Sequence, residues 1–134
     1  MENTRQPVSF IATDDPDEAR TFFADVLGLE LLEATPFALV FVDGGHVLRV
    51  QIVSELQPVG YTVHGWQVAD IAHNIEELTS KGVQFQRFDQ LNQDALGVWT
   101  TPDSNKIAWF TDPSGNTLSL TECPSSNGLR QMAF

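Results

Sequence analysis

The feature that most constrains the fold is a pattern of strand, capped helix and further strands that occurs twice. Asp15 and Asp70 each precede an amphipathic segment as the helix N-cap, and Gly28 and Gly82 each follow it as the C′ residue. The two copies are offset by about 55 residues, as in an internal repeat. A single helix covers only one face of a four-stranded sheet, so each copy needs the other. The sequence therefore predicts an α+β fold of two βαβββ modules that form a cupped, incomplete barrel.

The repeat also predicts the organisation of the chain, which at 134 residues is long enough to bury a sizeable core. We expect a single domain made of a first module at residues 7–54 and a second at residues 61–123. A linker at residues 55–60 joins the modules, and residues 124–134 form a C-terminal tail.

In the first module a strand at Val8–Thr13 leads into a helix whose start carries a capping box, with Asp15 as N-cap and Glu18 three residues later. Residues 29–33 are predicted as a short strand, and residues 37–53 as a hairpin that turns at Gly44 and Gly45. If Asp43 faces His46, alternate residues of this hairpin point to opposite sides. The side predicted to receive the helix consists of Phe37, Leu39, Phe41, Leu48, Val50 and Ile52. The other side consists of Ala38, Val40, Val42, Val47, Arg49 and Gln51.

The second module repeats this order. Residues 61–68 are predicted as a strand, and Asp70 caps a helix that runs through Lys81 with Ile71, Ile75 and Leu78 on its inner face. The segments that follow are predicted as a strand at residues 83–88, a loop at residues 89–96 and a strand at residues 97–101.

The module closes with a hairpin at residues 106–122, which turns at Pro113-Ser114-Gly115 with Asp112 facing Asn116. This register places Trp109 opposite Ser119. Leu118 and Leu120 then lie on one side of the last strand, and the hydroxyl side chains lie on the other. We expect the hydroxyl side to face a ligand cleft.

Composition excludes several partners and places the protein in a compartment. Seven basic and eighteen acidic residues give a net charge of −11, which repels nucleic acid and anionic membrane surfaces. A single cysteine, Cys123, permits no intrachain disulfide and no Cys-rich metal site. The first residues show no apolar signal region, and the longest apolar run, residues 37–42, is too short to span a bilayer. We therefore expect a soluble, cytoplasmic protein.

The repeat, the two helix ends and the sequence Trp-Phe-Thr-Asp-Pro-Ser-Gly-Asn at residues 109–116 resemble the vicinal oxygen chelate superfamily. This family includes glyoxalase I, the extradiol dioxygenases, fosfomycin-modifying enzymes and the bleomycin resistance proteins. The resemblance covers nearly the whole chain and implies the glyoxalase/bleomycin resistance fold, but its motifs are poor indicators of activity. Related proteins of this size often form homodimers, so it also implies a homodimer.

Family enzymes hold a divalent metal ion with one side chain from the first and one from the last strand of each module, typically His, Gln or Glu. The resemblance places four residues at these positions: Val8, Val63, Ser119, and either Arg49 or Gln51, depending on the register. This set contains no imidazole and no carboxylate, so we expect no metal and no cofactor. A slip of one residue would replace Val63 by His64, but it would turn the whole strand over.

Little in the sequence supports another metal site, a nucleophilic active site or a phosphate-binding site. His46 at the hairpin tip and His73 on the outer helix face are interpreted as surface residues, and the acidic run at residues 14–17 as a helix cap. No nucleophile motif or phosphate-binding loop is present, so no catalytic residue is assigned.

The predicted ligand-binding residues lie on the sides of the sheets that face away from the helices. They are Phe10, Arg49, Gln51, Gln67, Trp99, Trp109, Ser119 and Thr121. Arg49 needs an anionic partner, either a carboxylate of this protein or one of the ligand. Trp109 is interpreted either as a ligand platform or as a core residue.

The sequence favours a metal-independent small-molecule binding protein of the bleomycin-resistance-like branch, which sequesters a drug or an aromatic metabolite, over an enzyme. The alternative is a metal-dependent lyase, isomerase or dioxygenase with an atypical ligand set. A third interpretation, a partner protein with a vestigial cleft, predicts that Trp109 is fully buried.

Overall fold

The computed structural model describes residues 4–124. The chain divides into two units: a first unit of Met1–Pro58 with Asp112–Asn116, and a second unit of Val59–Thr111 with Thr117–Phe134. Each unit contains one four-stranded sheet. The prediction of two βαβββ modules is therefore confirmed. In the part of the chain that the structure describes, no helix has the length and hydrophobicity needed to cross a bilayer.

The sheet of the first unit has the order β1-β4-β3-β2, with β1 parallel to β4 and the other pairs antiparallel. Its strands are β1 (Val8–Thr13), β2 (Glu30–Ala34), β3 (Ala38–Asp43) and β4 (His46–Ile52). The predicted hairpin register is confirmed, because Asp43 pairs with His46 and Phe41 pairs with Leu48. Phe41, Leu48 and Val50 are fully buried. The apolar face of the hairpin therefore forms the core of this unit.

The helix of the first unit begins as predicted and then changes its winding. The carboxylate of Asp15 accepts a hydrogen bond from the backbone N–H of Glu18, and α1 spans Pro16–Arg20. The chain continues as a π-helical turn at Thr21–Val26, where the N–H of Leu27 donates to the carbonyl of Phe22. The regular helical spacing in the sequence did not predict this wider turn. Phe22 and the adjacent Phe23 are both buried.

One residue of the first unit lies differently from the prediction. Phe37 was expected on the helix-facing side, but its side chain is 73% exposed. The reason is a turn that precedes β3, in which the Oγ1 of Thr35 accepts from the backbone N–H groups of Phe37 and Ala38. Strand alternation does not extend into this turn. Ala38 lies on the outer side as predicted, because it pairs with Gln51, and it is fully buried there.

The sheet of the second unit has the matching order β5-β8-β7-β6. Its elements are β5 (Thr62–Gln67), α2 (Ile71–Ser80), β6 (Trp99–Thr100), β7 (Lys106–Thr111) and β8 (Thr117–Glu122). Asp70 caps α2 by accepting from the N–H of His73, and Ile71, Ile75 and Leu78 are buried as predicted. The predicted pairing of Trp109 with Ser119 is also confirmed.

The predicted strand at residues 83–88 is wrong. Only an isolated bridge between Phe85 and Phe110 forms there, and β6 is limited to two residues. The side chain of Gln93 explains the difference: its Oε1 accepts from the N–H of Phe88, and its Nε2 donates to the carbonyls of Gln86 and Gly97. These backbone groups are satisfied by a side chain, so they do not extend the sheet.

Candidate functional site

A bulge in β5 decides which residues of the second unit share a face. Thr62 pairs with Thr117 and His64 with Leu118, so Val63 lies between two paired positions without its own partner. Residues that pair directly across strands point to the same side of a sheet. His64 therefore lies in the row of the buried Leu118, and not in the row of Ser119.

The opposite face of this sheet brings together five of the predicted site residues in two neighbouring rows. Ser119 pairs with Trp109 on one side and with Gly65 on the other. The next row runs from Gln67 through Thr121 and Ile107 to Trp99.

Trp109 is held on this face by one hydrogen bond and two ring contacts. Its indole Nε1–H donates to the Oγ1 of Thr62 at 3.1 Å. Its ring stacks on Trp99 with centroids 6.2 Å apart, and the ring of Phe88 meets it edge-on at 5.4 Å. Trp109 nevertheless remains partly exposed. The full burial that a vestigial cleft predicts is therefore not observed.

Two other residues of the face are less accessible. Ser119 is 9% exposed, and a Cβ at position 65 would lie 2.5 Å from its Oγ. The absence of a side chain at Gly65 therefore makes room for the hydroxyl of Ser119. The Oε1 of Gln67 is buried and accepts no hydrogen bond among the described residues.

A cleft of about 300 Å³ opens beside Trp109, and we refer to it as the Trp109 cleft. It is lined by Gly60, Tyr61, Thr62, Phe88, Gln90, Leu91, Trp109 and Thr117. Of these residues only Trp109 is predicted from the sequence to bind a ligand. Thr62 carries a hydroxyl, but simple alternation back from Gln67 puts it on the wrong face, and the bulge that corrects this has no clear signal in the sequence.

The other three predicted residues lie on one face of the first unit's sheet. Phe10 pairs with Arg49, and Gln51 occupies the next row of the same face. The ring of Phe10 is 58% exposed. Among the described residues, the ion pairs His73–Glu77 and Lys106–Glu122 do not involve Arg49, which has no carboxylate partner there.

The positions at which family enzymes bind a metal ion do not suit one in this chain. His46 closes the hairpin turn of the first unit, and Asn116 closes the corresponding turn of the second. Arg49 lies three residues after His46, and Ser119 lies three residues after Asn116. The register therefore makes Arg49 the counterpart of Ser119. Val8 and Val63 supply no donor atom, and Arg49 supplies a positive charge. Within the described residues no three or more His, Cys, Asp or Glu side chains form a group that could hold a metal ion.

Three solved structures share this architecture. A bleomycin resistance determinant encoded on the transposon Tn5 has a TM-score of 0.71 at 19% identity, over 91% of this chain and 100% of that chain. TnmS3, an antibiotic binding protein from Streptomyces sp. CB03234, has a TM-score of 0.69 at 19% identity, over 92% and 98%. Lactoylglutathione lyase from Agrobacterium tumefaciens has a TM-score of 0.68 at 18% identity, over 90% and 93%. At these identities the similarity establishes the fold and not the ligand.

A comparison with curated proteins finds no match. The family model of the Glyoxalase/Bleomycin resistance protein/Dioxygenase superfamily matches residues 6–120. This match covers both modules and the closing hairpin. The chain therefore belongs to the Glyoxalase/Bleomycin resistance protein/Dioxygenase superfamily.

Proposed function

We propose that this protein binds a small organic molecule without a metal ion and sequesters it instead of transforming it. The observation that carries the proposal is the donor set at the family's metal positions, which here consists of Val8, Arg49, Val63 and Ser119. No carboxylate or imidazole occupies these positions. Phe10 and Gln51 share the sheet face of Arg49 in the first unit, and Trp109 and Thr121 share that of Ser119 in the second. Such a surface suits recognition of an organic ligand better than Lewis-acid chemistry.

The face of the second unit supports binding of an aromatic group. Trp109 and Trp99 offer stacked rings, and large aromatic side chains contribute strongly to binding. Thr121 in the neighbouring row is partly exposed and supplies a hydroxyl group. Gln67 and Ser119, which are more enclosed, would contribute only after small side-chain movements.

The face of the first unit supports recognition of an acidic group. Arg49 has no carboxylate partner among the described residues, which favours an anion of the ligand over an internal one. The exposed ring of Phe10 lies in the same row as Arg49, and the exposed amide of Gln51 lies in the next row.

The similar structures are consistent with this proposal. Two of them are described as an antibiotic binding protein and a bleomycin resistance determinant. The third is described as a lyase, and it favours the alternative of a metal-dependent lyase, isomerase or dioxygenase with an atypical ligand set. We further propose that the protein acts in the cytoplasm and as a homodimer.

The proposal is tested by calorimetric titration of three probes that differ in charge: metal-free bleomycin, doxorubicin and nalidixic acid. Each titration is repeated with EDTA. We expect saturable binding of at least one probe, with a Kd that EDTA leaves unchanged. Trp109→Ala should weaken that binding by about tenfold or more, as expected for an aromatic anchor.

The matched control is Trp66→Phe, because Trp66 stacks on Phe110 in the row of Leu120 on the other face of the sheet. Binding that disappears in EDTA would favour the metal-dependent alternative. Failure of all three probes to bind would contradict the proposal for these ligand classes.

A further inference from the structure

We infer that the Trp109 cleft is a subsite for an uncharged planar ring, and that Thr62 is the positioning residue that holds Trp109 in the orientation which forms it. The inference rests on the proposed function, because it specifies the ligand chemistry at the same face of the second unit. It also assigns a role to Thr62, Phe88 and Tyr61.

The lining of the cleft determines the charge of the ligand. Three aromatic rings, of Tyr61, Phe88 and Trp109, contribute to the walls, and no Asp, Glu, Lys, Arg or His lines them. A charged group that enters this cleft loses hydration and gains no opposite charge in return. A neutral ring instead gains stacking and edge contacts with the aromatic side chains.

The size of the cleft and the exposure of its rim are consistent with a small ligand. Its volume of about 300 Å³ is at the lower end of the range for small-molecule pockets. The side chain of Tyr61 is 67% exposed, so it still has apolar surface that a bound ring would bury.

Thr62 determines which part of Trp109 is available to contact the bound ring. An indole has a single hydrogen-bond donor, and the Oγ1 of Thr62 accepts from it at 3.1 Å. Trp109 therefore presents its ring surface and not a donor to the cleft. Hydrogen bonds to the ligand have to come from other polar groups of the lining, such as Thr117 and Gln90.

The bulge in β5 is what brings Thr62 to this position. Gly65 and Gln67 pair with Ser119 and Thr121, and strict alternation from them would place Thr62 on the opposite face. The extra residue at Val63 reverses this alternation, so that Thr62 pairs with Thr117 instead. Bulges commonly redirect a side chain near a functional site in this way.

The test compares 2-naphthol with 2-naphthoate, which have the same ring system and differ in charge at neutral pH. The calorimetric titrations use Arg49→Met, which lacks the cation proposed to bind acidic groups. This variant should bind 2-naphthol about tenfold or more tightly than 2-naphthoate, because the carboxylate is desolvated in the cleft without a partner. Thr62→Val keeps the shape of the side chain but removes the acceptor. It should weaken 2-naphthol binding by about three- to tenfold, the usual effect of one lost hydrogen bond.

Two further readouts separate positioning from a structural effect. Thr62→Ser restores the hydroxyl and should bind 2-naphthol like the wild type. Thr62→Val should also reduce the near-UV circular dichroism of the stacked indoles, while the melting temperature stays the same because Thr62 is exposed.

Three results would overturn the inference. Equal binding of 2-naphthol and 2-naphthoate by Arg49→Met would contradict a neutral subsite, and wild-type affinity for 2-naphthol in Thr62→Val would contradict the positioning role. Absence of 2-naphthol binding by the wild-type protein would contradict the subsite itself. None of these results tests the proposed function, which is tested by binding of bleomycin, doxorubicin and nalidixic acid. Failure of this inference can therefore be distinguished from failure of the proposed function.

Discussion

At the scale of the residue, the side chain of Asp112 holds the turn that the sequence analysis had identified from Pro113 and Gly115. Its Oδ1 accepts from the backbone N–H groups of Ser114 and Asn116, and its Oδ2 accepts from the Nδ2 of Asn116. The same Nδ2 donates to the carbonyl of Ala12. The turn was predictable because Pro113 fixes φ and Gly115 can adopt the positive φ that the turn needs. Nothing in the sequence indicated the contact with Ala12, which lies far away in the chain.

Burial raises the pKa of Asp112, although its hydrogen bonds to Asn116, Ser114 and Gly115 act in the opposite direction. A carboxyl group whose folded-state pKa is raised binds more protons when folded than when unfolded. Its contribution to stability is therefore fully present below the unfolded value of 3.8 and is lost as the pH rises through the folded-state pKa. We expect the free energy of unfolding of the wild type, relative to Asp112→Asn, to fall over this interval.

Urea denaturation of both proteins from acidic to neutral pH measures this difference. Asp89→Asn, which removes a carboxylate from an exposed position, is the control for the change in net charge. If the free energy of unfolding of the wild type instead rises relative to Asp112→Asn over this interval, the hydrogen bonds lower the pKa of Asp112 by more than burial raises it.

Arg49 provides a second test at this scale. Since it has no carboxylate partner among the described residues, Arg49→Met should change the free energy of unfolding by no more than about 0.5 kcal/mol. Its affinity for the acidic probe nalidixic acid should fall, while its affinity for neutral 2-naphthol stays the same. Arg20→Met, at an exposed position of α1, is the matched control. A loss of about 3 kcal/mol or more would instead indicate an internal, buried anion.

At the scale of the element, the close approach of β5 and β8 depends on Gly65. A methyl group at this position would lie 2.5 Å from the Oγ and 2.9 Å from the carbonyl oxygen of Ser119. We expect Gly65→Ala to lower the free energy of unfolding by about 1–3 kcal/mol, because one of these strands has to shift. Gly60→Ala is the matched control, since a methyl group there meets nothing within 4 Å.

Thermal and urea denaturation of the two variants would measure this effect. Equal stability of Gly65→Ala and Gly60→Ala would show that β8 can shift without lowering the free energy of unfolding. It would also weaken the explanation for the low exposure of Ser119.

The elements that sequence predicted correctly are those whose ends are fixed by local chemistry. Asp15 and Asp70 cap their helices, and the turn residues between Asp43 and His46 set the hairpin register. The errors arise where a side chain forms hydrogen bonds with backbone groups that strand pairing would otherwise use. The side chain of Gln93 satisfies backbone groups that a strand at residues 83–88 would have used.

The candidate site also contains residues that the sequence predicted correctly and a residue that it did not. The row of Trp109 and Ser119 was predictable, because the turn at Asp112 and Asn116 fixes the register of β7 and β8. Thr62 was missed because its face depends on the bulge at Val63. A bulge depends on packing around an extra residue, and no residue type at this point of the sequence requires one.

At the scale of the whole molecule, the two repeats share the fold but carry different side chains on the faces that we propose to bind a ligand. The first has Phe10, Arg49 and Gln51, and the second has an aromatic cluster around Trp109. The family's metal positions on these faces carry no imidazole and no carboxylate, although Glu30 and Glu33 of β2 lie on the first face, where they pair with Val42 and Val40. The net charge of −11 adds a long-range attraction for cations, so weak and unspecific metal binding has to be separated from binding at a defined site.

The central claim, that the protein works without a metal ion, is tested most directly by metal analysis and titration of the same sample. Protein purified without chelator is analysed by mass spectrometry for its metal content and titrated calorimetrically with Ni²⁺, Zn²⁺, Mn²⁺ and Fe²⁺ at moderate ionic strength. We expect substoichiometric metal in the sample and no saturable one-to-one binding. One tightly bound ion per chain, lost in Ser119→Ala and retained in the control Ser80→Ala, would contradict the claim.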